Sequence, residues 1–223
     1  TQPTTAIAYF SNKENIWSKN YWQQWYEKKD KYKISLMRLN SDQIEVGATP
    51  VKTKDGWLLI YAHIQNYFDN KKKIFGIETV LLNINDPTKI LARTASPLLT
   101  PEMEYEKTGQ VKNVIFPSST IIENDKLQIY YGATDNFCAT AQTNLSQLIV
   151  SMKSNPIKQV FKLTKYNKNP ILKTQKDNAW ESKAVFNPAM VYENQKFYLI
   201  YRALDQNKVS RLGCAISKNG FNF

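Results

Sequence analysis

Apolar and polar residues alternate along most of the chain, and this period of two predicts β-strands. Long helical patterns are nearly absent. One strand pattern occurs three times: an apolar strand that ends in tyrosine and a short polar tail. The three copies are GWLLIYAHI (56–64), KLQIYYGATD (126–135) and KFYLIYRALD (196–205). A turn and another strand, which begins at Pro50, Pro117 or Pro188, precede each copy. The sequence therefore predicts three hairpins in an all-β fold.

The hairpins recur about every 70 residues, which indicates an internal repeat. We expect further strands at 6–12, 146–155 and 212–220. A four-stranded antiparallel unit is typical of a β-propeller blade, whereas a sandwich of unrelated strands does not predict a recurring proline-to-tyrosine spacing. The length accommodates about three blades. The predicted divisions are the end of one blade plus a connection at 1–48, a blade at 49–115, a blade at 116–185 and the start of another at 186–223.

Composition narrows the classes of function. The net charge is +11, but only four arginines are present, and nucleic-acid binding proteins depend on the guanidinium fork. We therefore expect no nucleic-acid partner. No apolar run approaches the roughly 20 residues that span a bilayer, so we expect no membrane partner. One histidine and two cysteines cannot form a zinc set, although the cysteines could pair. The compartment stays open, with the cytoplasm slightly favoured.

Several segments carry a family resemblance: GWLLIYAHI (56–64), LLNINDPTKILARTASPLLTPEMEYEKTGQVKNVIFPSSTII (81–122), IYYGATD (129–135), NPIL (169–172), WESKAVFNPAM (180–190), LIYRALD (199–205) and SRLGCAIS (210–217). They resemble glycoside hydrolase family 130, a family of five-bladed propellers that includes mannosyl phosphorylases and β-mannosidases. Residues 13–40 show no such resemblance. The resemblance implies an oligosaccharide partner, inverting hydrolysis or phosphorolysis of β-mannosides or related sugars, and no cofactor, with inorganic phosphate as an optional co-substrate.

The chain departs from the family pattern in two ways. The blade with FNPA and YRA comes first in the family but last here, as in a permutation, a tandem copy or a rearranged fragment. The Glu-Asp-Pro-Arg segment, whose aspartate the resemblance implies as the proton donor, is not found, so we expect no catalytic residue and little or no turnover from this chain. Self-association could complete the ring, since unpaired strand edges attract partners. The alternative is a non-catalytic sugar-binding or scaffold module.

The resemblance implies sugar contacts at strand ends that line the central cavity. Each candidate has an ordinary structural alternative: a turn aspartate, an inter-blade ion pair or an asparagine before proline. The expected substrate-binding residues are His63, Tyr131, Asp135, Asn187, Arg202 and Arg211.

The residues that would contact phosphate in the family differ here. The family histidine falls on Ala62, with His63 in the next position, and Gln43 stands where phosphorolytic members have lysine. Because an anion needs charge-assisted contacts, these residues favour hydrolysis over phosphorolysis. A structural role for His63 remains the alternative.

Other candidates have less support. Glu102, Glu104 and Glu106 alternate, so we expect them on one side of a strand, as an acid cluster or a solvated row. Glu181 could line the cavity or pair with Lys183. The aromatic and basic segment 16–33 could stack on sugars or nucleobases, or cover a groove between blades. Its exposed candidates are Trp17, Trp22, Trp25 and Tyr26.

Overall fold

Three antiparallel sheets follow one another along the chain in this computed structural model, which describes residues 4–154 and 161–223. The first sheet contains β1 (Gln43–Glu45), β2 (Val51–Thr53), β3 (Gly56–Gln65), β4 (Ile74–Leu82) and β5 (Ile90–Arg93). The second contains β6 (Ile115–Glu123), β7 (Lys126–Ala133), β8 (Phe137–Asn144) and β9 (Thr164–Lys165). The third contains β10 (Ala184–Glu193), β11 (Lys196–Leu204) and β12 (Ser210–Ser217). This arrangement confirms the predicted all-β fold of about three blades.

The three predicted hairpins pair as expected. β2 pairs with β3, β6 with β7 and β10 with β11, and each second strand then pairs with the next strand of its sheet. In the first sheet β3 also pairs with β1, and β4 pairs with β5. The strand predicted at 212–220 is confirmed as β12. The second sheet packs between the other two, since β6 contacts β3 and β4 on one side and β10 on the other.

Two of the outer strands were predicted wrongly. Residues 145–153 form helix α3 (Leu145–Lys153). Its N-terminus is capped by the Asn144 side chain, which accepts from the Gln147 N–H at 3.0 Å, as asparagine does at helix starts. The buried residues Leu148, Ile149 and Met152 lie on one helical face. At 6–12 the only pairing in the described chain is a single bridge from Ala6 to Lys33.

The remaining helices are short. They are α1 (Lys19–Glu27), α2 (Glu104–Lys107) and 3₁₀ helices at Lys13–Trp17, Lys29–Tyr32 and Ala179–Glu181. Within the described residues, no helix has the length and apolar character needed to cross a membrane.

Burial differs between the central strands of the sheets. β3 and β7 are buried on both faces, because the first and second sheets each pack between two other layers of the protein. The N-terminal segment covers the outer face of the first sheet through Ile34 and Leu36, which pack on Leu59 and Val80. β11 alternates between buried and exposed residues, so only one face of the third sheet is covered. Leu212 on its open face is 80% exposed.

The tyrosine that ends each repeated strand has a structural explanation. Tyr61, Tyr131 and Tyr201 occupy the sixth position of β3, β7 and β11. The hydroxyl of each donates to a buried glutamate: Glu78 at 3.0 Å, Glu106 at 2.9 Å and Glu181 at 2.7 Å. The number of residues between each tyrosine and its glutamate differs among the three pairs. The tyrosine–glutamate pair therefore recurs in the structure, although no constant sequence spacing marks it.

The second and third sheets are joined at two bulges. The pairing shifts in β6 between Pro117 and Ser119, and in β10 between Phe186 and Ala189. A proline at such a site does not interrupt the ladder, because the bulge leaves a residue unpaired. Ser119 Oγ donates to Pro188 O at 3.0 Å and accepts from the Met190 N–H at 2.9 Å.

We expect Ser119→Ala to lower the free energy of unfolding by about 1–2 kcal/mol, because it leaves both backbone partners without their hydrogen bonds. Chemical denaturation measures the change. Ser118→Ala is the matched control, since its hydroxyl makes only a 3.4 Å contact to Phe116 O. An equal effect for the two variants would contradict the role of Ser119 as the link between sheets.

Candidate functional site

The polar residues at the junction of the second and third sheets form the candidate site. Asn187 lies in the β10 bulge with φ 54°, a left-handed conformation that asparagine tolerates better than most residues. Gly132 on β7 faces it, and a Cβ at Gly132 would lie 3.3 Å from the Asn187 nitrogen. The absence of a side chain on β7 therefore allows the Asn187 backbone to approach the second sheet.

Asp135 follows the end of β7 in a turn fixed from two sides. Its backbone oxygen accepts from Gln110 Nε2 at 2.7 Å. The neighbouring Asn136 accepts from the Gln110 N–H through its side chain and from the Val185 N–H through its backbone oxygen. Burial raises the pKa of the Asp135 carboxyl, while the positive charge of Arg202 acts in the opposite direction. Asp135 is thus a half-buried carboxyl group near an arginine.

Arg202 on β11 is exposed but held in orientation. Its guanidinium carbon lies 4.9 Å from the centre of the Phe186 ring, a cation–π contact. Its Nε donates to Ser210 Oγ at 3.0 Å. These contacts fix the plane of the guanidinium group, whose terminal nitrogens carry further donors suited to vicinal hydroxyls or a carboxylate. Asp135, Asn187 and Arg202 are called the junction site below.

The second predicted arginine lies elsewhere. Arg202 is paired with Leu212 and Arg211 with Ala203. Because neighbouring residues of a strand point to opposite faces, the two arginines lie on opposite faces of the third sheet. Arg211 Nη1 forms an ion pair with Asp205 Oδ2 at 2.8 Å, and this hydrogen bond lowers the pKa of the Asp205 carboxyl. The predicted grouping of Arg211 with Arg202 is therefore not observed.

Tyr131 is fully buried on β7. Its hydroxyl bonds to Glu106 and also lies 3.2 Å from the Tyr105 hydroxyl. Burial and the nearby Glu106 raise its pKa well above the usual value. These contacts indicate that Tyr131 stabilises the fold and does not contact a ligand.

The three alternating glutamates do not share a strand face. Residues 104–107 form helix α2, so their side chains diverge. Glu106 is buried and accepts from Lys165 Nζ at 2.6 Å, while Glu102 is exposed and pairs with Lys162 and Lys165 at 3.4 Å. Glu104 accepts from the Thr108 hydroxyl. The expected strand row is wrong, because α2 turns the chain before it enters β6.

His63 lies inside the first sheet and is only 2% exposed. Its Nε2 lies 2.8 Å from Asp42 Oδ2 and its Nδ1 lies 3.0 Å from Glu78 Oε1. The second contact is an ion-pair contact without good hydrogen-bond direction. Glu78 also accepts from Arg38 Nε at 2.8 Å and from Tyr61. This arrangement favours the structural alternative that the sequence left open for His63.

Protonation in this buried cluster is controlled by its charges. Burial would lower the pKa of His63, but the negative charges of Glu78 and Asp42 and the hydrogen bond to Asp42 outweigh burial and raise it above 6.5. Burial would raise the pKa of Glu78, but His63 and Arg38 outweigh it and lower it below 4.5. The histidine and Glu78 therefore stabilise each other's charged forms.

Glu181 is buried and accepts from Tyr201 and from Asn178 Nδ2, the latter at 2.7 Å. This hydrogen bonding differs from both the cavity-lining role and the Lys183 ion pair that we considered. The cysteines are not paired, since Cys138 is buried and Cys214 is exposed, each as a free thiol. Among the residues that the structure describes, no group of three potential metal ligands is found.

Sequence reasoning missed the partners of the buried groups. Arg38, Asp42 and Glu78 were not candidates, although Glu78 is the only charged residue in the apolar strand IFGIETVLL (74–82). A single carboxylate within such a strand requires a buried partner. The lone glutamate in this strand was therefore the sequence signal for a buried cluster of charged residues around Glu78.

Two family models match the chain. The model of glycoside hydrolase family 130, described as beta-1,4-mannooligosaccharide phosphorylase, matches residues 25–154. The model of the glycosyl hydrolases family 32 N-terminal domain matches residues 93–221. Residues 25–40, which we expected to lie outside the resemblance, are therefore part of the first match.

Individual relatives agree with the first match. A 1,2-beta-oligomannan phosphorylase of Thermoanaerobacter sp. (strain X514) is 34% identical over 119 residues, which are 53% of this chain and 38% of the relative. A beta-1,2-mannobiose phosphorylase of Listeria innocua is 34% identical over 110 residues, which are 49% of this chain and 30% of the relative. The chain thus spans about a third of the length of the curated relatives it matches.

A solved structure supports the fold. A family 117 glycoside hydrolase from Zobellia galactanivorans superposes with a TM-score of 0.59 at 13% identity, covering 85% of this chain and 58% of the other. This similarity extends through most of the three sheets and concerns the fold alone. The family 130 model covers more than half of the sequence, and the curated relatives are named as phosphorylases of mannose-containing oligosaccharides, as that model is, so the chain belongs to glycoside hydrolase family 130.

Proposed function

We propose that this chain forms the sugar-binding part of a carbohydrate-active protein that acts on β-mannosides or related oligosaccharides. The observation that carries the proposal is the exposed Arg202, held in orientation by Phe186 and Ser210 beside the half-buried Asp135. The curated relatives are named as phosphorylases of mannose-containing oligosaccharides, which supports this class of substrate.

The junction site offers complementary hydrogen-bonding groups. Arg202 supplies donors only, whereas Asn187 supplies both donors and acceptors through its amide. Asp135 accepts when ionised and also donates when protonated, and its raised pKa extends the range of pH in which it carries the proton. Such a set fits a ring with several neighbouring hydroxyls and no net charge. Arg211 lies on the other face and has no place in this set.

For the whole protein we propose inverting attack by water in preference to phosphate. The proposal rests on Ala62 and Gln43, at the positions where the family resemblance implies phosphate contacts. Ala62 is buried and has no donor, and Gln43 is neutral. Because a general acid contributes roughly 10²–10⁴-fold to the rate and no family acid is identified, we expect this chain alone to bind sugar with little turnover.

A product assay tests the reaction. The chain, and the longest protein that contains it, are incubated with β-mannobiose and a panel of β-mannosides with and without phosphate. Free mannose without phosphate is the expected product of the longer protein. Sugar 1-phosphate formed only with phosphate would overturn our interpretation of Ala62 and Gln43. No product from the longer protein would favour the non-catalytic module.

We expect Arg202→Met to weaken β-mannobiose binding by roughly 10- to 100-fold, because two charge-assisted hydrogen bonds are lost. Isothermal calorimetry measures the affinity. Lys208→Met, in the exposed turn of the same hairpin, is the control and should bind as the unmodified chain does. Since Arg202 is exposed, both variants should keep their thermal stability. Unchanged affinity in Arg202→Met would remove the junction site from the proposal.

A scaffold function is the second candidate, and the open face of the third sheet favours it. Apolar residues Val191, Ile200, Leu212 and Ile216 are exposed there, and an apolar sheet face normally packs against another layer. Under this candidate the chain self-associates or joins a partner blade. Analytical ultracentrifugation distinguishes the two candidates. A chain that stays monomeric at all concentrations and binds sugar would support the carbohydrate-active proposal over the scaffold.

A further inference from the structure

A second site lies outside the three sheets, in the N-terminal segment. Residues 4–37 fold so that helix α1 lies across the extended chain near residue 9, and a small pocket opens between them. The pocket has a volume of about 170 Å³. We call it the aromatic pocket. Its lining residues are Tyr9, Tyr21, Gln24, Trp25, Lys28 and Tyr32.

The walls of the aromatic pocket are held in place. Trp25 Nε1 donates to Ile7 O at 2.9 Å, and the Tyr21 hydroxyl donates to Tyr9 O at 2.6 Å. The rings of Trp25 and Tyr32 are nearly parallel, at 10° and 6.4 Å between centres, and Tyr9 meets Tyr32 edge-on at 6.1 Å. A ligand would therefore meet rings that are already ordered, which reduces the entropic cost of binding.

Size and chemistry narrow the ligand to a single polar ring. An enclosed cavity of about 150 Å³ holds a benzene-sized molecule. This pocket is partly open to solvent, so it has room for one six-membered ring whose polar substituents project outward. The aromatic walls suit the C–H face of a sugar ring through dispersion. Gln24 and Lys28 supply an amide and an ammonium donor for hydroxyl groups. The ammonium group of Lys28 disfavours a cationic ligand, which a purely aromatic cage would accept.

We propose that the aromatic pocket is an accessory sugar site that binds one hexopyranose ring, such as the end of an oligosaccharide. It lies in a different part of the chain from the junction site, so its binding does not depend on the proposed function. The packing among the aromatic rings accounts for the walls of the pocket. At its rim, Gln24 donates one hydrogen bond to Asn20 at 3.2 Å, and its amide has further hydrogen-bonding capacity for a ligand. A bound sugar ring accounts for both the rim and the open volume.

Indole N–H signals in a nitrogen-15 correlation spectrum locate the binding directly. The chain has five tryptophans, and single Trp→Phe variants assign their signals. Titration with methyl β-mannoside and β-mannobiose should shift the Trp25 signal and leave those of Trp57 and Trp180 in place. The titration is repeated in Arg202→Met, which impairs the junction site. Persistence of the Trp25 shift in that variant separates the two sites.

Variants of the pocket test the assignment. We expect Trp25→Ala to weaken the sugar affinity by roughly tenfold through loss of the aromatic face. Gln24→Ala should weaken the sugar affinity about fivefold. Because this variant removes only one 3.2 Å hydrogen bond to Asn20, the N-terminal segment should stay folded, and a loss of affinity would come from the pocket itself. Trp17→Ala is the matched control, because Trp17 is 85% exposed and lies outside the pocket.

Four outcomes would overturn the proposal. The first is no Trp25 shift with any sugar at high millimolar concentration. The second is a shift with tetramethylammonium in place of sugar, which would identify a cation cage. The third is binding of a single-stranded oligonucleotide that falls steeply with salt, which would identify the segment as a nucleic-acid surface. Equal loss in Trp17→Ala and Gln24→Ala would likewise contradict a defined pocket.

Discussion

Glu106→Ala is expected to lower the free energy of unfolding by about 3–5 kcal/mol, as removal of one partner from a buried ion pair does. Glu106 Oε2 accepts from Lys165 Nζ and from two backbone N–H groups, those of Glu102 and Met103, while Oε1 accepts from Tyr131. Alanine would remove the acceptor of both backbone N–H groups, and Lys165 Nζ would keep only its longer contacts to Thr100 O at 3.2 Å and Glu102 Oε2 at 3.4 Å. Lys165 would also remain largely buried without its main counter-charge. Urea denaturation at neutral pH measures the loss.

Two further variants show how much of this loss in stability comes from the charge of Glu106 and how much any change in α2 would cause. Glu106→Gln keeps the volume and some hydrogen bonds, so we expect an intermediate loss. Glu104→Ala, in the same short helix, removes only a contact to Thr108 and should cost less than about 1 kcal/mol. If Glu106→Ala and Glu104→Ala were equally stable, the buried pair with Lys165 would not be a main support of the second sheet.

The repeat of tyrosine and buried glutamate shows what the sequence could and could not reveal. Tyr61, Tyr131 and Tyr201 share one position of an alternating strand, so the local pattern predicts them. Their partners Glu78, Glu106 and Glu181 come from a strand, an α-helix and a 3₁₀ helix. No constant spacing relates each tyrosine to its partner, because the pairs form only after the sheets pack.

The errors in secondary structure have a similar cause. The alternating pattern predicts a strand at 146–155, yet the buried residues of this segment also fit one face of a helix, and short apolar runs are ambiguous. The asparagine cap at Asn144 and the turn from β8 decide in favour of the helix. The N-terminal strand fails because Ala6 finds only one bridge partner. The aromatic side chains of this segment pack mainly with one another.

The candidate site was predictable in part. The family resemblance placed Asp135, Asn187 and Arg202 near a cavity, and the structure brings them to one junction. It did not separate Arg202 from Arg211, because the side of a strand on which a residue lies depends on the register of the β11–β12 hairpin. It also included His63 and Tyr131, whose burial depends on Asp42, Glu78 and Glu106. The burial of these side chains depends on how the sheets pack together, which the local sequence pattern does not determine.

The cluster around His63 leads to a pH-dependent stability. The raised pKa of His63 means that its stabilisation is fully present below its unfolded pKa of about 6.5 and is lost as the pH rises through the folded value. The lowered pKa of Glu78 acts at the other end: its contribution is present above about 4.5 and is lost as the pH falls. Stability from this cluster is therefore greatest between these limits.

We expect His63→Gln to be less stable than the unmodified chain by about 3–5 kcal/mol at pH 6, because Asp42 and Glu78 then lose a buried positive partner. The difference should shrink as the pH rises above about 6.5 and through the raised folded pKa of His63, since the unmodified chain then loses the same charge. Thermal unfolding in buffers from pH 5 to 9 measures both curves.

Tyr61→Phe is the control for the His63 variant. It removes a hydrogen bond to the same Glu78 but leaves His63, Asp42 and Arg38 in place. It should therefore lower the stability by about 1–2 kcal/mol while keeping the decline in stability as the pH rises above about 6.5. A constant difference between His63→Gln and the unmodified chain across this range would mean that His63 does not become charged on folding. The neutral imidazole would then donate one hydrogen bond, to only one of the two carboxylates. The positive charge next to Glu78 would come from Arg38 alone.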